Sequence, residues 1–152
     1  HTEFCVIHVQ KASPNGIARI EGQTFADVQQ ALCADTVIVT AEEIVEESEL
    51  RSEPERNLVP FFAGKYVCHV PWGAHPYAVY NYYDYDPWQL KCYHDTAEDD
   101  RAYQAYLDQY VYGVKSHAAY LEEVGGAARQ NLLRADSAYG YRPDLKRRRL
   151  DG

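Results

Sequence analysis

The residues best suited to chemistry lie between Val70 and Tyr85, where an apolar run gives way to an aromatic loop that carries a histidine. Gly73 permits backbone angles closed to other residues, and Pro76 holds the residue before it in extended geometry. We therefore expect His75 on a stiff turn, where its imidazole could meet a substrate carboxylate or carbonyl as an acid or base. A structural hydrogen bond from the same ring to nearby backbone is an equally open interpretation.

A cluster of phenols and carboxylates follows that turn: Tyr80, Tyr82, Tyr83, Asp84, Tyr85 and Asp86. The cluster could form the wall of an acyl pocket, or it could be buried against a partner protein, because interface cores are rich in aromatic residues. It does not make a self-contained catalytic set. The sequence contains no G-x-S-x-G, P-loop, H-E-x-x-H or G-x-G-x-x-G motif, so any nucleophile is expected elsewhere.

The elements before the loop follow the order typical of a parallel α/β sheet. Residues 4–10 and 36–40 predict two buried strands, and residues 25–34 between them predict a helix. A strand, a crossover helix and a second strand in this order predict a parallel pair. A further strand is predicted at 65–70 and ends before Pro71, which cannot donate to a ladder. Ligands bind at the carboxyl ends of such strands, which is where the loop begins.

The predicted helix over residues 25–34 has a start signal and one apolar face. The hydroxyl of Thr24 could cap its first turn, with an acidic residue three positions later. Phe25, Val28, Ala31 and Leu32 fall on one side at helical spacing. We expect this side to pack against the sheet.

Acidic residues begin directly after the second predicted strand. Glu42 and Glu43 stand at that strand end, where a carboxylate could face the same cleft as His75. Acidic residues in the first turn of a helix also complement the helix dipole, and this alternative stays open. His8 and His69 lie inside predicted strands, which favours a structural interpretation of both.

The second half of the chain is predominantly helical in pattern. Pro87 suits the first turn of a helix, Ser116 can cap another, and Gly125 can end it. Helices are predicted at residues 87–94, 98–112, 117–124 and 127–135, followed by an irregular tail from 137 onwards.

Composition narrows the class of protein. With 152 residues, of which 46% are hydrophobic and 25% charged, the chain suits one globular domain and has no segment that could span a membrane. A net charge of −8 makes nucleic acid an unsuitable partner, and the basic run Lys146 to Arg149 is expected to be a solvated end. Four separated cysteines without a C-x-x-C pair predict neither a zinc site nor a dense disulfide framework, which suits the cytoplasm. The start of the chain does not resemble a secretory signal.

The ends of the chain suggest a part of a larger assembly. The sequence has no methionine, and a strand with apolar residues on both faces starts at Phe4. Such a strand needs helices on both sides. We therefore expect a fragment or processed half whose missing part or partner completes the core. A trimmed but self-sufficient domain is the alternative.

Four segments of the sequence resemble class I coenzyme A transferases, in particular the A (alpha) subunit of the glutaconate CoA-transferase type: Ile7-His8-Val9-Gln10, Thr40-Ala41-Glu42-Glu43-Ile44-Val45, Val70-Pro71-Trp72-Gly73-Ala74-His75-Pro76 and Tyr82-Tyr83-Asp84-Tyr85-Asp86. The resemblance covers residues 1–125 and matches the C-terminal half of such an alpha subunit, whereas residues 126–152 form a helical and irregular tail. It implies a three-layer α/β fold with an open, mostly parallel sheet and flanking helices. Without a partner chain or the missing N-terminal half, that fold is incomplete.

The resemblance also implies a reaction. In such transferases a glutamate of the B (beta) subunit attacks an acyl-CoA thioester, forms an acyl anhydride and then a glutamyl-CoA thioester, and passes CoA to a second carboxylate. By this resemblance the present chain carries no catalytic residue, no metal and no covalently bound cofactor. Its substrates are a coenzyme A thioester, short or dicarboxylic, and a carboxylic acid. Its partners are the beta subunit and the N-terminal half of the alpha subunit, in a hetero-oligomer.

The residues expected to line the substrate are Gly73, Ala74, His75, Pro76, Tyr80, Tyr83, Gln10 and Glu42. The glycine-rich loop near the start of the family's alpha subunit has no counterpart in these residues. Relatives of the same fold include a 3-methylglutaconyl-CoA decarboxylase and a ring-opening hydrolase of CoA thioesters. Both activities stay open as alternatives, and so does a non-catalytic scaffold that kept the fold.

Overall fold

The chain divides into two compact units, His1–Ala74 and His75–Gly152, in a computed structural model that describes residues 1–59 and 61–144. The basic run at 146–149 lies outside the described residues. The predicted division between a domain at 1–125 and a tail at 126–152 stays a prediction. Within the described part of the chain, no helix has both the length and the apolar character needed to cross a membrane.

The first unit is built on an open, mostly parallel sheet. Its described strands are β1 (Thr2–Ala12), β2 (Ala18–Arg19), β3 (Ala34–Ile44) and β4 (Gly64–His69), in the order β2-β1-β3-β4. β1, β3 and β4 run parallel, and the short β2 pairs antiparallel with the end of β1. The predicted α/β class and its three parallel strands are confirmed.

β3 is longer than the sequence predicted. It continues past Thr40 to Ile44, because its ladder with β1 continues and Glu43 pairs with Lys11. Glu42 and Glu43 therefore lie inside the strand and not beyond its end. Since successive residues of a strand point to opposite faces, Glu42 shares a face with Thr40 and Glu43 does not.

One face of the sheet carries the core of the first unit. Ile7 and Val9 from β1 and Val37, Val39 and Ala41 from β3 are buried there in one cluster. Their spacing follows the two-residue period of a strand. Burying each of the larger aliphatic side chains stabilises the fold by roughly 1.5–3 kcal/mol.

The opposite face of the same sheet is open near the amino ends of its parallel strands. Phe4 and Val6 on β1 are each 64% exposed, and Tyr66 on β4 is similarly exposed. Val6 lies opposite Ile38, which lies opposite Tyr66, so these residues form one row across three strands. A contiguous apolar row of this kind is a surface on which another layer can pack.

The helix after β2 begins later than the sequence predicted. α1 spans Asp27–Cys33, and no side chain caps its first turn. The predicted cap at Thr24 is therefore wrong, and the predicted packing face is wrong in part. Phe25 precedes the helix and is 79% exposed, and Leu32 is also exposed, because the shorter helix turns only Ala31 fully towards the core.

Arg19 ties the segment that follows β3 to the edge strand β2. This segment comprises α2 (Glu47–Arg51) and a 3₁₀ turn (Pro54–Arg56). The guanidinium is buried; its Nη2 donates to the carbonyl oxygen of Leu50 at 3.0 Å, and its Nε donates to Asn57 Oδ1 at 3.1 Å. The planar fork of arginine suits several fixed acceptors at once, so one side chain holds this segment against β2.

The described part of the second unit is mainly helical, as predicted. Asp86, Asp99 and Ser116 each cap a helix with a side-chain oxygen. Gly125 has a φ of 116° and ends one helix where the next begins. The helices are α3 (Pro87–Thr96), α4 (Asp100–Leu107), α5 (His117–Glu123) and α6 (Gly126–Leu133), and α4 continues as a π-helical turn over Asp108–Tyr112.

Replacing Arg19 with lysine tests the role of this buried guanidinium. We expect Arg19→Lys to lower the free energy of unfolding by about 2 kcal/mol, because an ammonium cannot reach all the acceptors and leaves buried ones unpaired. Urea unfolding followed by circular dichroism measures the loss. Arg51→Lys is the matched control, since the Arg51 side chain is 70% exposed and pairs with Glu47 at the surface. An equal loss in both variants would contradict the role given to Arg19.

Candidate functional site

A histidine, a threonine and a glutamate meet towards the carboxyl ends of β1 and β3. His8 lies opposite Thr40 in the ladder, and Glu42 follows on the same face. His8 Nδ1 is 2.8 Å from Thr40 Oγ1, and His8 Nε2 is 2.7 Å from Glu42 Oε1. The Glu42 side chain is only 3% exposed. The imidazole is thus held at both nitrogens, which confirms the structural interpretation of His8.

The second carboxylate oxygen of Glu42 fixes the turn that follows β4. Glu42 Oε2 accepts a hydrogen bond from the backbone N–H of Trp72 at 2.8 Å. Trp72 has a φ of 63°, a left-handed conformation that costs a bulky residue about 1–3 kcal/mol. His69 Nε2 lies 3.1 Å from the backbone carbonyl oxygen of Glu42, and the N–H of Val70 donates to Ala41 at 2.9 Å. The turn is therefore seated on β3.

Gly73 packs directly against the same imidazole. A Cβ atom at this position would lie 2.7 Å from His8 Cε1 and 2.7 Å from the carbonyl oxygen of Val70. Both distances are shorter than van der Waals contact, so glycine is required here by close approach. The sequence pointed to this glycine because of its backbone freedom, whereas the structure supplies a steric reason. Gly73 is exposed, so its backbone is accessible from solvent.

Gln10, another predicted substrate residue, is engaged with the backbone. Its Nε2 donates to the carbonyl oxygen of Glu21 at 3.0 Å, and its Oε1 accepts from the N–H of Glu21 at 2.9 Å. These two bonds hold the chain that leaves β2. Since Gln10 is also buried, its placement gives it a role in the fold. Contact with a substrate stays a prediction.

His75 lies in the second unit, and its ring is enclosed in a hydrogen-bonded network. The side chain is 2% exposed; Nδ1 is 2.7 Å from the Tyr120 hydroxyl, and Nε2 is 3.2 Å from Asp86 Oδ2. A phenol and a carboxylate reach the two ring nitrogens, so the hydrogen-bond partners of His75 are side chains and not backbone. Contact of His75 with a substrate stays a prediction.

Asp86 is the centre of this network. Its carboxylate is fully buried, caps α3 by accepting from the N–H groups of Trp88 and Gln89, and pairs with Arg129 Nη1 at 3.0 Å. Burial raises the pKa of the Asp86 carboxyl. The hydrogen bonds from His75 and from the backbone of α3, together with the charge of Arg129, outweigh burial, and the pKa lies below its usual range.

Tyr120 is the partner of His75 on the side of the ring away from Asp86. Burial, followed by the neighbouring Tyr106 and Asp86, raises the pKa of the Tyr120 phenol far above its usual range. The phenol therefore keeps its proton, with its hydroxyl 2.7 Å from His75 Nδ1, and His75 Nε2 lies 3.2 Å from Asp86 Oδ2. The order Tyr-His-Asp resembles a catalytic relay, but the side chains of His75 and Asp86 are almost completely buried. We therefore interpret the network as structural.

The tyrosines after Pro76 also pack within the second unit. Tyr83 is almost completely buried, and Tyr80 packs edge-on against Tyr141 with ring centroids 5.2 Å apart. Tyr83 therefore packs inside the second unit, and contact of Tyr80 or Tyr83 with a substrate stays a prediction. Ala74 and Pro76 are half-buried. Of the predicted substrate residues, the structure brings Glu42 and Gly73 together around His8 and places His75, Pro76, Tyr80 and Tyr83 in the other unit.

Metal ligands are not grouped in the described part of the chain. No set of three or more His, Cys, Asp or Glu side chains among residues 1–59 and 61–144 is arranged to hold a metal ion. All four cysteines lie in this part, and none forms a disulfide.

Replacing Asp86 tests the buried network of the second unit. We expect Asp86→Asn to lower the free energy of unfolding by about 3 kcal/mol at neutral pH, because Arg129 and His75 lose a buried charged partner. The pKa of Asp86 is lowered in the folded chain, so its contribution is fully present above the ordinary value of 3.8 and is lost as the pH falls through the lower folded value. Urea unfolding at neutral and acidic pH measures this difference.

The matched control for that variant is Asp95→Asn. Asp95 is an exposed residue of α3, and its pKa is also lowered, by a hydrogen bond from Lys91. Solvent screens this surface pair, so we expect almost no change in stability at either pH. A loss in Asp86→Asn that does not diminish on acidification, or an equal loss in Asp95→Asn, would contradict the assignment.

Comparison with known proteins identifies the family. The chain matches no protein-family model. It is 37% identical over 143 residues to the A subunit of glutaconate CoA-transferase from Acidaminococcus fermentans, which covers 94% of this chain and 44% of that protein. It is 33% identical over 122 residues to the A subunit of 3-oxoadipate CoA-transferase from Pseudomonas knackmussii, which covers 80% of this chain and 43% of that protein. The chain thus spans less than half the length of these relatives.

Solved structures agree with the sequence comparison. The crystal structure of glutaconate coenzyme A-transferase from Acidaminococcus fermentans matches with a TM-score of 0.88 and covers 93% of this chain and 44% of that chain. A variant of the decarboxylase AibA/AibB matches with a TM-score of 0.58 at 27% identity and covers 70% of this chain and 37% of that chain. The resemblance found in the sequence is confirmed: this chain belongs to the class I CoA-transferases, is of the glutaconate CoA-transferase alpha type, and corresponds to the C-terminal part of that alpha subunit.

Proposed function

We propose that this chain is part of a heteromeric CoA-transferase that moves coenzyme A between an acyl-CoA thioester and a carboxylic acid. The observation that carries the proposal is the 37% identity to the alpha subunit of glutaconate CoA-transferase over 94% of the chain. The match to the corresponding subunit of 3-oxoadipate CoA-transferase supports the same reaction class. Both names refer to dicarboxylic acyl groups, so we assign a short or dicarboxylic acyl-CoA as the substrate.

The open sheet face supports a proposal about the partners. Val6, Ile38 and Tyr66 form an apolar row across three parallel strands, and Phe4 is exposed on the same face. Parallel sheets in α/β proteins are covered on both faces. We assign this face to polypeptide equivalent to the N-terminal half of the alpha subunit. The beta subunit is the second partner, and the working assembly is a hetero-oligomer.

The covalent chemistry belongs to the beta subunit in this proposal. Its glutamate carboxylate attacks the thioester carbonyl and expels CoA thiolate, which leaves an acyl-glutamyl anhydride. The thiolate then attacks the glutamyl carbonyl of the anhydride, which releases the acyl group as a carboxylate and forms a glutamyl-CoA thioester. A second carboxylate repeats both steps in reverse. The thioester energy is retained throughout, and no metal or covalently bound cofactor takes part.

The contribution of this chain to the substrate site is assigned to the backbone of Gly73 and Ala74. Gly73 is exposed and follows β4, and open α/β sheets bind ligands beyond the carboxyl ends of their strands. The absence of a side chain leaves its peptide groups accessible. The rings of His75 and Tyr83 are buried, so we assign them to support of the fold.

A second candidate is decarboxylation of an acyl-CoA. The decarboxylase AibA/AibB shares the fold at 27% identity over 70% of this chain, a weaker match than that to the transferase. The ring-opening hydrolase and the non-catalytic scaffold stay as predictions from the sequence, as does the cytoplasmic location.

The test is a reconstitution with the partner chains. The chain is purified with its copurifying proteins, these are identified by mass spectrometry, and the assembly is given acetyl-CoA with a dicarboxylic acid or a dicarboxylic acyl-CoA with acetate. We expect exchange of CoA that depends on the acceptor acid, detected by liquid chromatography and mass spectrometry. Turnover without an acceptor acid, to carbon dioxide or to a ring-opened product, would favour the decarboxylase or the hydrolase. No turnover in any of these assays would favour the scaffold.

A further inference from the structure

We propose that Glu42, supported by His8, is a positioning residue that holds the turn at Trp72 and Gly73 against the end of the sheet. This inference rests on the proposed function, because the same turn is the segment assigned to the substrate. It replaces the sequence-based expectation that Glu42 itself contacts the substrate. Glu42 acts on the substrate only through the backbone that it holds.

Both carboxylate oxygens of Glu42 accept hydrogen bonds. One carboxylate oxygen accepts from His8 Nε2 at 2.7 Å, and the other accepts from the Trp72 N–H at 2.8 Å. With a side chain only 3% exposed, the carboxylate has almost no surface for a ligand. Hydrogen bonds to a charged acceptor are shorter and stronger than neutral ones, so this group suits the task of restraining a backbone amide.

Trp72 has a strained backbone conformation that depends on this restraint. Its φ of 63° is unfavourable for a bulky residue and persists only where the surroundings fix it. The charge-assisted bond to Glu42 is a contact that acts directly on the amide of the strained residue. Removing the carboxylate would therefore allow the residue to relax towards a negative φ and would move Gly73, which follows it.

His8 supports the turn in two ways. The Thr40 hydroxyl donates to the carbonyl oxygen of Ile7 at 3.2 Å, and its oxygen lies 2.8 Å from His8 Nδ1. His8 Nε2 lies 2.7 Å from Glu42 Oε1, so contacts at both ring nitrogens fix the ring beside the carboxylate. The same ring lies against Gly73, where a Cβ would approach Cε1 to 2.7 Å. The imidazole thus orients the carboxylate and contacts the turn.

Fluorine NMR of the 152-residue chain tests this role. The sequence contains two tryptophans, Trp72 and Trp88, so labelling with 5-fluorotryptophan gives two resonances, which Trp88→Phe assigns. We expect Glu42→Ala to shift and broaden the Trp72 resonance and to leave the Trp88 resonance in place. Trp88 stacks on Arg129 in the second unit and therefore reports separately on folding there.

Two further variants separate positioning from a general loss of structure. In Glu42→Gln the amide oxygen can still accept from the Trp72 N–H and the amide NH₂ can donate to a neutral His8, so we expect the Trp72 resonance to stay near its original position. Glu43→Ala is the matched control, because Glu43 is the adjacent exposed glutamate on the other face of β3. An unchanged Trp72 resonance in Glu42→Ala, or an equal change in Glu43→Ala, overturns the proposal.

Amide hydrogen exchange gives a second readout if Glu42→Ala does not fold. In the unsubstituted chain and in Glu42→Gln, we expect the Trp72 amide to exchange at least about tenfold more slowly than an unprotected amide. Rapid exchange in the unsubstituted chain overturns the proposal.

Neither measurement needs coenzyme A or a partner, so an absence of CoA transfer would overturn the proposed function and leave these results standing. In an active assembly, Glu42→Ala should lower kcat/KM by roughly tenfold or more, and Glu42→Gln should restore most of it.

Discussion

The parallel register between β1 and β3 is the constraint on which the candidate site depends. It places His8 opposite Thr40 and puts Glu42 on the same face, within reach of the imidazole. A shift of one residue would turn the carboxylate into the core, because successive strand residues face opposite sides. The buried aliphatic face fixes that register, since any slip would expose Val9 and Val39. Hydrophobic packing on one side of the sheet therefore positions the polar cluster on the other.

Histidine–carboxylate pairs recur in the two units, and in both the pair restrains a turn and does not present a reactive group. In the first unit Glu42 binds His8 and the amide of Trp72. In the second, Asp86 binds His75 and the first amides of α3. A carboxylate has several acceptor sites, so one side chain can satisfy an imidazole and a backbone segment together. In both pairs the carboxylate fixes a backbone segment as well as the imidazole. The turn after β4 therefore offers mainly backbone groups to a ligand.

The sequence allowed the fold class, the parallel strands and the capped helices to be predicted, because each depends on local patterns. The apolar runs in residues 4–10 and 36–40, the proline at the start of α3 and the cap at Ser116 are signals of this kind. The site was predicted less well. The role of His75 depends on Tyr120, far away in the sequence, and the role of Glu42 depends on a strand that ends four residues later than its apolar run, at Ile44. Long-range pairing and register leave no local signal.

The hydrogen bonding of the buried polar groups fits the roles that the proposed transferase gives to this chain and to the beta subunit. Among the described residues, no buried side-chain nitrogen or oxygen lacks a hydrogen-bond partner. A nucleophile or general base has to meet its substrate with at least one lone pair or proton available, whereas His8, His75, Glu42 and Asp86 direct theirs inward. A protein built in this way provides a rigid, preorganised surface, and rigid placement of the reacting groups is itself a large part of catalysis. In the proposed transferase this chain therefore contributes positioned backbone, and the reacting carboxylate is the glutamate that the proposal assigns to the beta subunit.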